Sequence, residues 1–599
     1  MLHRLGPVFL DAFKLRAVPA AASTLRAVEL LHDAYRSGGR AWPESLPVSF
    51  LRAAWRDAVL GATKSGGAER RIWEAATLLA LRDRLRAGDI WVEGSRQWRA
   101  VEDQLIPPAL FAAMRAAGPL PIAVPATAAD YLAERRALLD QRLSDVAAKA
   151  AADALEDVTI KGGDMKITPL KAVTPEAAED LANRLYGMIP TARITSLLAE
   201  VHRWTGFADL FTHQQTDLPA DDPRVVLTGI LAEATNLGLS RMADACSVAS
   251  RRKLAWTAGW HLREDTYRSA LAMLVNAQHS QPLAAVFGAA DISSSDGQGF
   301  PTAGRGEAVG AINAHYGREV SALFYTHVSA RHAPYHTVAI PPSGEAAHVI
   351  DGLLYHEADL SIAVHHTAGG GVSDHVFALA HLLGFRFAPR IPNLAERRLY
   401  GFGPASNWPA LAPFIAGRPD ERLIIAHWDD VLRLAASVRT GTVSASLMLK
   451  RLGAYPRQNG LALAARDRSH RAHALYPGLA RTGPAQTASG GGTEQGRKPQ
   501  RAGAGCVFPP PWSSARPHSR TAAAPRQRPD TRHRRHRAVE HRLSRPGPGR
   551  LATPRRDRAG CAARPHRTTR MAAHQSHRRL SLGCRRRHRP ERVQTPARR

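Results

Sequence analysis

The chain of 599 residues is poor in cysteine and in long apolar runs. Its four cysteines form neither a CxxC pair nor the spacing of a zinc site, which argues against a disulfide framework and a metal finger. It contains no run of about 18 apolar residues, and it does not open on a charged segment followed by an apolar one. We therefore expect a soluble, non-secreted protein.

Acidic residues and lysine are scarce at one end of the chain. From Arg466 onward there are 33 Lys+Arg and 6 Asp+Glu, whereas the first 465 residues contain 48 Lys+Arg and 46 Asp+Glu. Lys498 is the only lysine after Arg466, and hydrophobic periodicity disappears there as well. A strongly basic protein commonly binds nucleic acid, but here that inference applies to the segment 466–599 alone.

Hydrophobic periodicity predicts a helical region up to about residue 280. Apolar residues recur at three- and four-residue spacing in 128–143, 175–189 and 193–204. Within this region the stretch 88–98 resembles a strand and predicts a hairpin or an exposed loop. A helical scaffold is the simplest interpretation of such periodicity.

Between about 280 and 400 the pattern indicates a mixed sheet covered by helices. β-Branched and aromatic residues predict adjacent strands at 318–329 and 333–342. The following segments predict, in order, a helix at 344–358, a strand at 359–367, a helix at 373–385, a strand at 385–391, and amphipathic helices at 422–438 and 442–455. In the second of these helices Val376, Leu379 and Leu383 share one face.

Two short stretches carry candidate chemistry. "SSSDGQGF" (293–300) places Asp296 at a predicted strand end beside a glycine, where a carboxylate can hold a metal ion and a phosphate backbone can come close. Asp before Gly is also common in simple turns, and this alternative stays open on the residues alone. "HHTAGGGVSDH" (365–375) places Asp374 at a predicted helix start, where a carboxylate more often caps the helix than performs catalysis.

Long phrases along the chain resemble a single family. They include "LAEATNLGLSRMADA", "SSSDGQ", "FYTHVSARHAPYHT", "HVIDGLLYHEADL" and "DHVFALAHLLGFRFAPRI". Together they are similar to the transposases of class II replicative transposons, the Tn3 type, from near residue 1 to about residue 465. The resemblance implies an RNase H-like catalytic core whose Asp-Asp-Glu triad holds two divalent metal ions, with Mg²⁺ suited to its hard oxygen ligands. It also implies action on DNA at the terminal inverted repeats of a transposon.

The resemblance further implies which acids this chain retains. Asp296 matches the family's first acidic residue and is the expected metal ligand. In a phrase similar to the family's "HYTDTGGATDHVF", Ala368 stands where the second catalytic Asp is expected, while Asp374 matches a later Asp at the helix start. The third acid is expected beyond residue 465. There, GC-rich codons read one base later give a phrase similar to the family's, with the Glu codon straddling those of Arg497 and Lys498.

The predicted fold is an α-helical N-terminal region, an α/β RNase H-like core with a mixed sheet and helices, and a disordered C-terminal tail. Predicted boundaries are 1–220 for a remnant of the DNA-binding and scaffold part, 221–280 for a helical linker, 281–465 for an incomplete core, and 466–599 for an out-of-frame tail. A disordered nucleic-acid-binding arm is the alternative interpretation of the tail. Because the family usually carries more N-terminal sequence, the chain is expected to be truncated.

Two functional hypotheses follow. The first is a catalytically dead DNA transposase with impaired Mg²⁺ binding, because one carboxylate cannot organise two metal ions. The second is a non-enzymatic DNA-binding protein that forms homo-oligomers or pairs with an intact transposase. Both hypotheses place the protein in the bacterial cytoplasm, at the nucleoid.

Overall fold

A computed structural model describes residues 2–38, 42, 45–61, 68–155, 157–168, 176–302, 320–342, 344–391 and 397–454. The segment 466–599, to which the predictions about the tail apply, lies outside the described residues. The same is true of Arg497, Lys498 and three of the cysteines. The described chain is rich in helix and contains a mixed sheet. None of the helices in these ranges is long and apolar enough to cross a membrane.

The helices occupy both ends of the described sequence and flank the sheet. They are α1 Leu2–Ala12, α2 Ala22–Arg36, α3 Ala53–Gly61, α4 Ala68–Ala87, α5 Pro108–Ala117, α6 Ala128–Ala151, α7 Glu176–Met188, α8 Ile194–Thr205, α9 Pro223–Ala234, α10 Leu239–Ala245, α11 Arg251–Trp260, α12 Glu264–His279, α13 Ala284–Phe287, α14 Val349–Leu354, α15 Asp374–Leu382, α16 Glu421–Arg439 and α17 Ala445–Ala454. The three helices predicted from periodicity before residue 280 are confirmed as α6, α7 and α8.

The strands are short outside the central sheet. They are β1 Leu15–Ala17, β2 Ile90–Val92, β3 Val158–Lys161, β4 Asp164–Ile167, β5 Ile292–Pro301, β6 Ser321–Ser329, β7 Pro334–Ile340, β8 Val364–Thr367, β9 Arg386–Phe387, β10 Leu399–Tyr400 and β11 Ile415–Gly417. The stretch predicted to be a hairpin or an exposed loop instead supplies β2, which pairs antiparallel with the distant β1 through Leu15 and Val92. Periodicity cannot reveal a partner so far away in the sequence.

The central sheet has five strands in the order β7-β6-β5-β8-β9. β5, β6 and β7 run antiparallel to their neighbours, and β8 and β9 continue the sheet parallel to β5. This arrangement confirms the predicted mixed sheet and the predicted pairing of 318–329 with 333–342. The segment predicted as one helix at 344–358 is shorter and divided, since a 3₁₀ turn at Glu345–His348 precedes α14.

One large apolar core unites the sheet with the helices that cover it. It contains buried side chains of β6 and β7, of α14 to α17, and also of the earlier helix α6, such as Leu139 and Leu143. The predicted apolar face of α15 is confirmed, because Val376, Leu379 and Leu383 are all buried in this core. The predicted domain boundaries stay predictions.

Gly352 in α14 marks a close approach between helix and sheet. A Cβ atom at this position would collide with the imidazole ring of His327 in β6. The Nε2 atom of His327 also lies 3.0 Å from the carbonyl oxygen of Val349. The helix therefore sits against the sheet with no room for a methyl group.

We expect Gly352→Ala to lower the free energy of unfolding by about 1–3 kcal/mol, because an added methyl group overpacks this contact. Gly453→Ala is the matched control, since Gly453 lies in α17 with no atom within 4 Å of the new Cβ. That control should be neutral or stabilise the helix by up to about 1 kcal/mol. Urea unfolding followed by circular dichroism measures both, and equal stabilities for the two variants would contradict the close packing.

Candidate active site

Asp296 lies in the middle of β5, the central strand of the sheet. The sequence predicted a strand end, and this prediction is wrong, because β5 continues for five more residues and pairs with β6 as far as Pro301. Thr326 of β6 stands opposite Asp296. The carboxylate oxygen Oδ1 accepts a hydrogen bond of 3.0 Å from the backbone N–H of Gly297, so the half-buried side chain bends along its own strand.

Ala368 directly follows β8, the strand beside β5. The parallel register pairs Ser295 with Thr367. Ala368 keeps an extended conformation, with φ −67° and ψ 173°, and is 8% exposed. Ser295 and Thr367 are the last paired residues of these two strands, so Ala368 follows directly after the residue that stands beside the neighbour of Asp296.

Asp374 is the first residue of α15 and is buried. The cap of this helix lies one residue earlier than predicted. Ser373 has the extended backbone of a capping residue, and its Oγ atom accepts a hydrogen bond of 3.2 Å from the N–H of Val376. Asp374 instead places a carboxylate in the first helical turn, where the helix dipole favours negative charge.

Glu345 is a second acid near Asp296 that the sequence analysis missed. It begins the 3₁₀ turn before α14 and is 7% exposed. Its carboxylate lies against two glycines on neighbouring segments, since a Cβ at Gly297 would come within 2.8 Å of Oε1 and a Cβ at Gly370 would collide with Oε2. Burial, and secondly the charge of Asp296, raise the pKa of Glu345 to about 7. Locally the residue is an ordinary acid at a helix start, so no sequence signal distinguishes it.

A buried polar network lies on the other face of β5. Ser293 Oγ and Ser295 Oγ lie 2.8 Å from Nδ1 and Nε2 of His365 in β8. Ser295 Oγ also lies 2.7 Å from the hydroxyl of Tyr325, and the hydroxyl of Tyr335 donates to Ser293 Oγ at 3.1 Å. These contacts join the strands on either side of β5 and so fix the register between β5 and β8.

Comparison with known proteins indicates the family to which the chain is similar. Residues 196–476 match the family model of the Tn3 transposase DDE domain. The chain is 45% identical over 467 residues to the transposase for transposon Tn21 of Escherichia coli, and 44% identical over 467 residues to that for Tn501 of Pseudomonas aeruginosa. Each match covers 78% of this chain and 47% of the relative. A third relative, the transposase for Tn1546 of Enterococcus faecium, is 35% identical over 472 residues.

These matches identify a transposase domain of the DDE class. More particularly, residues 196–476 match the Tn3 transposase DDE domain, and the chain is similar over most of its length to transposases of Tn3-type transposons. This confirms the resemblance found in the sequence. The chain spans about half the length of the curated relatives that it matches.

DDE transposase domains generally require a divalent metal ion. Asp296 and Glu345 are carboxylates of the kind that hold such an ion. Among the residues that the structure describes, however, no group of three or more His, Cys, Asp or Glu side chains is placed to bind a metal. The described residues therefore do not fit an arrangement of two metal ions held by three carboxylates.

Buried histidines should make the fold sensitive to acid. Burial lowers the pKa of His348 and of His365 to about 3, and that of His327 well below its ordinary value. The unfolded chain therefore binds more protons than the folded chain between about pH 3 and pH 6.5, so stability falls as the pH drops through this window. Glu345 acts in the opposite sense, because its raised pKa favours the folded state as the pH falls below about 7.

The combined effect of the three histidines on stability is larger than the opposite effect of Glu345. We expect the free energy of unfolding to be lower at pH 5 than at pH 7, with each buried histidine costing about 2 kcal/mol at pH 5. Urea unfolding at the two pH values measures this difference. Equal or greater stability at pH 5 would show that these imidazoles accept protons in the folded state.

Proposed function

We propose that this chain is a DNA transposase of the replicative Tn3 type that has lost catalytic activity. Its substrate class is the DNA at the terminal inverted repeats of a transposon, and its reaction class is metal-dependent strand cleavage and transfer. One observation carries the proposed loss of activity: Ala368 is the residue that follows the last paired position of β8, directly after the partner of Ser295, and an alanine side chain has no oxygen to offer a metal ion.

The strand order supports an RNase H-like core. Three antiparallel strands, β5 to β7, are followed by two strands that extend the sheet parallel to β5 on its other side. This topology puts the strand that carries Asp296 next to the strand that Ala368 follows. Such a sheet can therefore present acids from separated parts of the sequence at one place.

Phosphoryl transfer of this class depends on carboxylates that hold divalent ions, and Mg²⁺ is the ion we propose because the ligands are hard oxygens. When bound, a pair of such ions activates the attacking oxygen and stabilises the leaving oxygen. Asp296 is the residue we propose as a metal ligand and catalytic acid of the family. With Ala368 at the second position, the set of ligands is incomplete.

The third acid of the family is proposed to be lost with the reading frame near residue 466. The match to the family model ends at residue 476, inside the segment whose charge and composition change abruptly. A shift of frame explains the excess of arginine over lysine in one step. The resulting basic segment is expected to bind DNA without sequence preference through its charge.

We expect the purified chain to produce no cleavage or joining of transposon ends in Mg²⁺ or Mn²⁺. Repairing the frame alone should leave it inactive, because position 368 still lacks a carboxylate. Repair combined with Ala368→Asp should restore cleavage. Gel analysis of labelled transposon ends measures each case, and cleavage by the unrepaired chain would overturn the proposal.

A second candidate function, pairing with another transposase copy, is favoured by the surface of α7 and α8. Every side chain from 177 to 188 is exposed except Ala182, although α7 carries large apolar residues. The exposed apolar side chains of α7, α8 and the segment between them are Leu181, Leu185, Tyr186, Met188, Ile189, Ile194, Leu197 and Trp204. A helix of this length is marginally stable alone in water, and a large exposed apolar patch commonly marks an interface. We propose a second copy of this chain as the occupant.

If this surface pairs two copies, Leu185→Glu and Tyr186→Glu should each weaken self-association by about tenfold or more, because a charge would enter an apolar contact. Leu110→Glu is the matched control, since Leu110 is equally exposed on α5. Analytical ultracentrifugation measures the association constants. A chain that is monomeric at all concentrations, or a control that weakens association equally, would exclude this surface.

A further inference from the structure

Three consecutive helices before the sheet, α9 to α11, share a small apolar core. Its buried side chains are Val225, Ala232, Met242 and Leu254. Only residues 246–250 separate the short helix α10 from α11, and Ser250 caps α11 by accepting a hydrogen bond of 3.3 Å from the N–H of Lys253. A short helix, a tight turn and a second helix, supported by a third, is the order of elements in a helix-turn-helix DNA-binding unit.

The charge of these helices is strongly positive. Residues 239–263 contain five Lys+Arg and one Asp+Glu, whereas the two kinds of residue are nearly balanced over the first 465 residues. Arg251, Arg252 and Lys253 form the first turn of α11, and all three are exposed. In helix-turn-helix proteins the second helix contacts base edges with its N-terminal residues. The cations of α11 therefore lie where such a helix would meet DNA.

Two of these cations differ in what they contact. Arg251 Nε donates a hydrogen bond of 2.9 Å to Ser240 Oγ on α10, so this side chain joins the two helices. Arg252 makes neither a hydrogen bond nor an ion pair with any other residue that the structure describes. A guanidinium exposed in this way suits phosphate oxygens, or the O6 and N7 atoms of guanine in the major groove.

The face of α11 that carries Arg252 is otherwise uncharged. At three-, four- and seven-residue spacing after this arginine, the exposed residues are Ala255, Trp256 and Gly259. The indole of Trp256 is 51% exposed. Its inner side lies against the buried His261, with 5.4 Å between the ring centroids. A large apolar side chain beside such small neighbours can come close to a partner, and in the major groove the thymine methyl group offers an apolar contact.

We propose that α10 and α11 form a helix-turn-helix unit and that α11 enters the major groove of duplex DNA. The major groove is wide enough to admit an α-helix. Arg252 would contact guanine or phosphate there, and Trp256 would contact thymine methyl groups. The inference rests on the proposed function only in taking DNA as the partner. It assigns a DNA contact to a segment that was expected to be a helical linker.

A solvated helix surface without a partner is the alternative for this face of α11. The affinity of the whole chain for DNA does not separate the two interpretations, because the basic segment 466–599 is itself expected to bind DNA through its charge. A measurement tied to one position of the chain does separate them. Ala255 is the suitable position, since it is exposed between Arg252 and Trp256.

The test is photocrosslinking of the full chain from p-benzoylphenylalanine in place of Ala255, with a labelled random-sequence DNA duplex below saturation. We expect a crosslink whose yield falls by about fivefold or more in Arg252→Gln, the lower end of what one arginine contact to a base contributes. Trp256→Ala should lower the yield as well, because the apolar contact to the groove is lost. Circular dichroism verifies that each variant is folded.

α16 supplies the matched controls. Arg422 is exposed and, like Arg252, makes neither a hydrogen bond nor an ion pair with any other described residue, and Ala426 is exposed on the next turn. The same crosslinking group in place of Ala426 reports the background from DNA bound elsewhere, for example by the segment 466–599. Arg422→Gln should leave the yield from position 255 unchanged.

Equal yields from positions 255 and 426 would overturn the inference. A yield from 255 that neither Arg252→Gln nor Trp256→Ala changes would overturn it too, as would a higher yield with single-stranded DNA, which has no major groove. All of these results leave the proposed loss of catalysis intact. DNA cleavage by the unrepaired chain would overturn that proposal and leave the crosslink from 255 unaffected.

Discussion

The pairing of β5 with β8 is the constraint on which the candidate site depends. The chain between these two strands contains β6, β7 and α14, and the sheet puts the strand of Asp296 beside the strand that Ala368 follows. A slip of one residue in this register would turn position 368 to the opposite face. The register is held by His365, whose two ring nitrogens lie within hydrogen-bonding distance of Ser293 and Ser295 on the neighbouring strand.

The two faces of β5 carry different kinds of side chain. On one face, serine, tyrosine and histidine side chains satisfy one another's hydrogen bonds, which makes burial of these polar groups tolerable. On the other face, Asp296 stays half-buried, and its Oδ1 atom accepts a hydrogen bond from the N–H of Gly297. A network of this kind specifies one register more strictly than apolar side chains would, because a slipped strand would leave several buried groups without partners.

Much of the sheet could be predicted from the sequence, because β6, β7, β8 and α15 are local patterns of apolar and β-branched residues. Asp296 and Ala368 could be singled out because long phrases around them resemble a family. The pairing of β1 with β2 could not be predicted, since it joins segments more than 70 residues apart. Glu345 was missed for the same reason: its neighbours, Gly297 and Gly370, are distant in the sequence and have no side chains to signal a contact.

The alanine at position 368 also bears on the stability of the fold. Acids gathered at one place repel one another unless cations neutralise them, so an active site of this class lowers the stability of its own fold. Burial is the main cause of the raised pKa of Glu345, and the negative charge of Asp296 adds to it. A further carboxylate at 368 would add to this repulsion, whereas a methyl group buried after β8 adds none. The proposed loss of the second acid would therefore remove chemistry without removing any contact that holds the sheet together.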